Sequence, residues 1–211
     1  MKKFFTNIPI QLPGGLENMV YQAVENDRLA MSEKTRFPIL SVVHGYAERG
    51  EPFRLIAVET KGGGGSENLE LLRQELDALC LRDGLACPDG VETVPAPESD
   101  RVACHIETFQ RLIDLTEDGD ELFACVTYGT KPMSMALLAA VRYAYRIRRN
   151  TSVPCVVYGY VDRSAGRDRK DLWKACVYDE TALLQLDEMV RLLAESGVSN
   201  PQSALNAILS L

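Results

Sequence analysis

The sequence has no CxxC pair among its six cysteines, and its two histidines, His44 and His105, lie far apart in the chain. Zinc is held by closely spaced Cys and His ligands, so no metal site is expected. Neither GxxxxGK[ST] nor GxGxxG occurs, which removes the Walker A loop and the dinucleotide fingerprint. No apolar run is long enough to cross a bilayer. Asn7 and Pro9 interrupt the residues after Lys2 and Lys3, so no signal peptide is read either. Positive charge is in deficit, 23 Lys and Arg against 30 Asp and Glu, for a formal net charge of −7. That excludes broad binding to duplex nucleic acid, which needs a basic footprint. A small anion remains possible wherever a local pocket supplies donors.

What is present suits a globular chain. With 211 residues, 46% hydrophobic and 25% charged, the chain can bury a substantial core without staples. Several cysteines sit inside apolar runs, such as Phe123-Ala-Cys-Val126 and Val153-Pro-Cys-Val-Val157. They read as small buried hydrophobes with reduced thiols, in a cytoplasmic protein.

Lys3 to Ile10 is rich in β-formers and stops at Pro13-Gly14-Gly15, which predicts a strand and then a loop. Leu16, Met19, Val20, Ala23 and Val24 recur at helical spacing and predict a helix. A second helix opens at Pro38 and carries Ile39, Val42, Val43 and Tyr46. Phe53 to Glu59 predicts a strand that runs into Thr60-Lys-Gly-Gly-Gly-Gly-Ser66. The helix after it carries Leu69, Leu72, Leu76 and Leu79, with Ser66 as N-cap and an end at Asp83-Gly84. Gly90 to Val94 predicts a short strand, and Val102, Ile106, Phe109 and Ile113 a helix face. Leu122 to Thr127 reads as a central parallel strand. Met133, Ala136, Leu137, Ala140, Val141, Ala144 and Tyr145 follow on a long helix that ends in Arg146, Arg148 and Arg149, which suit the negative end of its dipole as a solvated cap. Val153–Val161 and Trp173–Val177 are two further strands around a polar loop, Asp162 to Asp171. A helix from Thr181 to Gly197 closes the domain, and Asn200-Pro201 opens a short last one.

Strands alternating with helices give an α/β, Rossmann-like fold with a mostly parallel sheet and helices on both faces. The predicted domain spans 1–197, with 198–211 as a C-terminal helical appendage. Ligands of such folds bind beyond the carboxyl ends of the strands, at a topological switch point. Three strand-end loops are therefore candidates: Thr6 to Gly15, Thr60 to Ser66, and Thr127 to Ser134. In the third, the strand breaks at Gly129 and a helix restarts with Pro132 in its opening turn. Free N–H groups and the dipole there favour an anion, and Thr130, Ser134 and Lys131 add hydroxyls and a point charge suited to phosphate. The glycine run after Lys61, beginning at Gly62, either lets backbone approach a ligand closely or serves as a flexible turn.

The segment Leu122-Phe-Ala-Cys-Val-Thr-Tyr-Gly-Thr-Lys-Pro-Met-Ser-Met-Ala-Leu-Leu-Ala-Ala140 resembles the signature of the CARF (CRISPR-associated Rossmann fold) family, in which an apolar strand leads into a Gly-Thr-Lys-Pro-Met-like turn and a small-residue helix. The likeness extends over roughly residues 1–195, its one specific part being the Gly-Thr-Lys turn. It implies a twofold homodimer whose paired loops bind a cyclic oligoadenylate, the second messenger of type III CRISPR antiviral defence. It places Thr6 and Asn7 in the first-strand loop and Gly129, Thr130, Lys131 and Ser134 in the signature turn; Lys61 and Gly62 are ligand-binding candidates from the glycine-run loop alone. No cofactor is implied. Tyr128 departs from the pattern, standing where the family's turn often has a small residue. Many members also carry an effector. The short stretch after the closing helix leaves no room for one, so the expectation is a stand-alone sensor or part of something longer that acts on a downstream effector. The alternatives are a metal-independent ring nuclease, in which Lys131 with Thr130 and Ser134 stabilises charge while a ribose 2′-hydroxyl attacks the adjacent phosphate, and an unrelated Rossmann-type enzyme of nucleotides or sugar phosphates.

Overall fold

The computed structural model describes residues 1–60, 63–97, 99 and 101–210. Seven strands form one sheet in the order β2-β7-β6-β5-β1-β3-β4. They are β1 (Lys2–Asn7), β2 (Tyr21–Val24), β3 (Phe53–Thr60), β4 (Val91–Ala96), β5 (Glu121–Cys125), β6 (Ser152–Asp162) and β7 (Lys174–Asp179). The strands β6, β5, β1, β3 and β4 run parallel, β6 and β7 pair antiparallel, and β2 joins β7 in parallel at the other edge. The helices are α1 (Ile39–Tyr46), α2 (Gly65–Asp83), α3 (Val102–Ile113), α4 (Lys131–Ile147), α5 (Thr181–Glu195) and α6 (Pro201–Leu209). No helix among the described residues is long and apolar enough to cross a membrane.

Alternation along each strand sends neighbouring side chains to opposite faces. Phe4, Leu55, Ala57 and Phe123 pack under α1 and α2 against Val42, Leu72 and Leu76. Phe5, Ile56, Val58 and Ala124 pack on the other face with Leu112, Leu137 and Val141 of α3 and α4, joined by Leu184 of α5. Both faces are covered, so β3 and β5 carry apolar runs, Leu55–Val58 and Leu122–Cys125, rather than an alternating pattern. Phe4 stacks on Phe123, with 4.6 Å between centroids. At the amino edge of the sheet the fully buried Lys3 ammonium lies 2.8 Å from Asp120 and donates to the Leu115 carbonyl. Burial of that charge is tolerable because it is paired and hydrogen-bonded.

Three expectations are corrected. Leu16–Val24 is not a helix. Residues 13–15 form a 3₁₀ turn and Tyr21–Val24 is the edge strand β2. The apolar spacing there is real, but Leu16 meets the core from the bend after the 3₁₀ turn and Tyr21 from the strand, and pairing with β7 outweighs a short run's local preference. Ser66 does not cap α2. Gly64 holds that position without a side-chain bond, and the Ser66 hydroxyl donates to Glu59 at 3.2 Å. The arginines at the end of α4 are not all solvated caps, since Arg146 pairs with Asp187 and Glu188 of α5 and Arg148 donates to the Ile113 carbonyl at 3.3 Å. The stop at Gly84 is as expected, with the glycine left-handed at φ +67°.

Candidate functional site

From β4 the chain crosses back and lays β5 on the side of β1 opposite β3, with Thr6 in register with Cys125. The helices following β1 and β3 lie on one face and those flanking β5 on the other. This is a topological switch point, and ligands of such sheets bind beyond the carboxyl ends of the strands, here β1 and β5. Asn7 and the turn that follows β5 stand at that end.

Asn7, the last residue of β1, is 1% exposed. Its side-chain Nδ2 donates to the Tyr128 carbonyl at 3.0 Å, and the Ser134 hydroxyl donates to the same oxygen at 3.4 Å. The two bonds clamp the turn against the end of β1. Gly129 then swings to φ +86°, and a Cβ there would lie 3.0–3.1 Å from the Asn7 side chain. Both conformation and space demand glycine. Thr130 stands at the N-cap position of α4 in extended geometry, yet its hydroxyl caps nothing. Pro132 occupies the first turn, where its missing N–H costs nothing.

Two buried polar atoms at this notch have no partner, Oδ1 of Asn7 and Oγ1 of Thr130. The backbone N–H groups of Gly129, Thr130 and Lys131 also find no acceptor among the described residues. Lys131 is exposed, and among the described residues no carboxylate lies within ion-pair distance of its ammonium. Buried polar groups are ordinarily paired, and leaving one unpaired costs on the order of 1–3 kcal/mol. A helix start with free N–H groups, a lysine and two unsatisfied oxygens can therefore hold an anion that also bears hydroxyl or amino donors.

Not every candidate residue meets at this notch. Asn7, Gly129, Thr130, Lys131 and Ser134 converge there. Thr6 shares the opposite face of the sheet with Phe4, is 2% exposed, and donates to the Asn7 carbonyl at 3.3 Å. Lys61 and Gly62 lie outside the described residues. The glycines after them approach backbone closely. A Cβ on Gly63 would meet the Ile10 carbonyl oxygen at 2.3 Å, and Gly64 donates to that oxygen at 3.1 Å.

Sequence reading missed three features. The Tyr128 hydroxyl donates to the Arg36 carbonyl at 2.6 Å, and its ring meets Phe37 edge-on, with 6.4 Å between centroids. The large residue thus tucks behind the turn, under α1. Burial pushes its phenol well up and that of its neighbour Tyr21 to about 12. Thr127 accepts from the Gly159 N–H at 2.8 Å and stitches β5 to β6. Last, an arm between β6 and β7 brings cations and the single tryptophan to the same edge. Long-range contacts of this kind leave no signature in local spacing.

No family model matches this sequence, and no curated protein matches it. Among solved structures the fold is similar to that of Enterococcus italicus Csm6 bound to cyclic hexa-2′-fluoro-hexa-dAMP, at 12% identity and a TM-score of 0.46. The match covers 100% of this chain and 54% of the other, so the chain spans about half the length of that protein.

Proposed function

We propose that this protein is a sensor domain that binds a cyclic oligoadenylate across a homodimer and belongs to type III CRISPR defence. The observation that carries the reading is the notch at the switch point, where the opening turn of α4, Lys131 and the unpartnered Asn7 and Thr130 oxygens meet. Backbone N–H groups and Lys131 suit phosphodiester oxygens, and the two oxygens suit ribose hydroxyls or adenine amino groups. The likeness of residues 122–140 to the CARF signature adds the ligand class.

A second copy completes the site in this reading. Beside Lys131 an apolar cavity of about 430 Å³ runs between α3 and α4, lined by Val102, Ile106, Phe109, Pro132 and Met135. Val102 is 71% exposed and Met135 70%. Exposed apolar surface of this kind marks an interface. An isologous contact across it sets two notches side by side, matching the twofold symmetry of a cyclic ligand. Residues 1–197 form the sensor unit, and α6, which buries none of its residues, stands outside it.

The test is retention of labelled cyclic tetra- and hexa-adenylate on a filter, with the products resolved on a gel. Retention of an intact ring is expected. Lys131→Ala loses one charge-assisted bond to phosphate, and affinity falls about 10-fold or more with the fold unchanged. Wild-type levels of binding by Lys131→Ala overturn the placement of the site, no retention of either ring overturns the sensor reading, and linear product converts the sensor into a ring nuclease.

A further inference from the structure

The arm between β6 and β7 takes no part in the notch, although it stands at the same edge. Pairing of β6 with β5 ends at Val157 and Cys125, whereas β6 continues to Asp162 against β7. Five further residues carry the two strands about 17 Å past the end of β5. Residues 163–174 hold five basic side chains against two aspartates, in a chain whose net charge is −7.

Trp173 closes the arm. Its indole N–H donates to the Gly166 carbonyl at 2.9 Å, which fixes the ring and satisfies its polar edge. The Arg163 guanidinium lies 5.3 Å and the Lys170 ammonium 5.4 Å from the ring centroid. Lys170 also pairs with Glu17 at 2.8 Å, which ties the arm to the loop after β1. Between them is a cavity of about 460 Å³, with Gly14 and Gly15 on the facing wall. A Cβ on either glycine would meet nothing within 4 Å, so that wall is bare backbone facing open space. The cavity is of a size that takes small organic ligands.

Cations alone describe an anion site, and an indole alone describes an apolar one. Both on one cavity wall describe a planar base tethered to a phosphate. We propose that this cavity is a nucleotide subsite, in which a base lies against Trp173 while Arg163 and Lys170 donate to its phosphodiester. It rests on the sensor reading insofar as one ligand spans notch and arm. Base–aromatic stacking contributes on the order of 1–3 kcal/mol, and arginine suits phosphate by its fork of donors.

Trp173 is the only tryptophan in the chain, so its fluorescence reports this cavity alone. The purified protein is titrated with cyclic tetra-adenylate, adenosine 5′-monophosphate and inorganic phosphate. Filter retention of the ring is measured in parallel for wild type, Trp173→Phe, Trp173→Ala and Arg163→Ala. Saturable quenching by both nucleotides and none by phosphate is expected. Trp173→Ala weakens retention about 5- to 100-fold, the range that 1–3 kcal/mol spans, and Trp173→Phe restores most of it. Arg163→Ala, at an exposed position, weakens retention with an unchanged circular dichroism spectrum and keeps the test decisive if Trp173→Ala misfolds. Full retention by Arg163→Ala and Trp173→Ala without quenching in wild type overturns the subsite and leaves the notch reading standing. Quenching by the mononucleotide without retention of the ring supports the subsite and overturns the cyclic ligand. Quenching by neither nucleotide overturns the subsite.

Discussion

At the scale of single residues, charge placement decides what is stable and what is free to bind. Asp83 at the end of α2 lies 2.6 Å from the Arg82 guanidinium and 2.7 Å from Nδ1 of His44, and Arg82 also meets Glu33. Hydrogen bonding to Arg82 and then to His44 holds the Asp83 carboxyl down at about 2. A carboxylate whose folded value is depressed stabilises the fold fully above its unfolded value, near 4, and loses that contribution as pH falls toward 2. Urea unfolding at several pH values is expected to show wild type losing about 1–2 kcal/mol over this window that Asp83→Asn does not lose, the figure being discounted for solvent screening. Parallel pH curves for the two proteins contradict this. Lys131 is the opposite case, an exposed cation with no carboxylate in ion-pair reach among the described residues.

At the scale of elements, the junction of β5 and α4 is the part most tightly specified. Gly129 combines a left-handed backbone with contact against Asn7. Gly129→Ala therefore meets both a conformational penalty and a clash, together about 1–3 kcal/mol. Relief of the clash moves Asn7 off the Tyr128 carbonyl and opens the clamp. Thermal melts are expected to show the loss of stability, and filter retention a loss of ligand binding at temperatures where the variant is still folded. A melt and an affinity equal to wild type argue against the clamp. Gly159 is constrained by space alone, since a Cβ there would fall 2.3 Å from the Pro38 ring.

At the scale of the whole molecule, the sheet puts the notch, the arm and the exposed α3–α4 face at neighbouring positions. Met135 lies on that face, one turn along α4 from Lys131, and is mostly exposed. Met135→Glu introduces a charge that cannot be buried in an isologous apolar contact, where each substitution is met by its own copy. Sedimentation equilibrium is expected to show wild type as a dimer and Met135→Glu as a monomer, with ring affinity reduced because half of the paired site is gone. A variant that remains dimeric places the twofold axis elsewhere.

Much of the architecture was readable from local pattern. The Leu55–Val58 stretch of β3 and the Leu122–Cys125 stretch of β5 are apolar runs because both faces are covered, and α2 and α4 carry leucine and alanine stripes at helical spacing. The turn at Gly129 could be found because a strand, a glycine, a lysine and a proline in that order allow little else. Other features were decided only in three dimensions. Tyr21–Val24 became a strand because β7 offered an unpaired edge, which no window of sequence contains. Tyr128 turned under α1 to reach the Arg36 carbonyl, 92 residues away in the chain. Asn7 and Thr130 were candidates from sequence, but only the packing shows that each retains a buried oxygen without a partner. Spacing along a chain encodes which face a residue takes; which groups that face meets, and which it leaves unsatisfied, is set by contacts between segments distant in sequence.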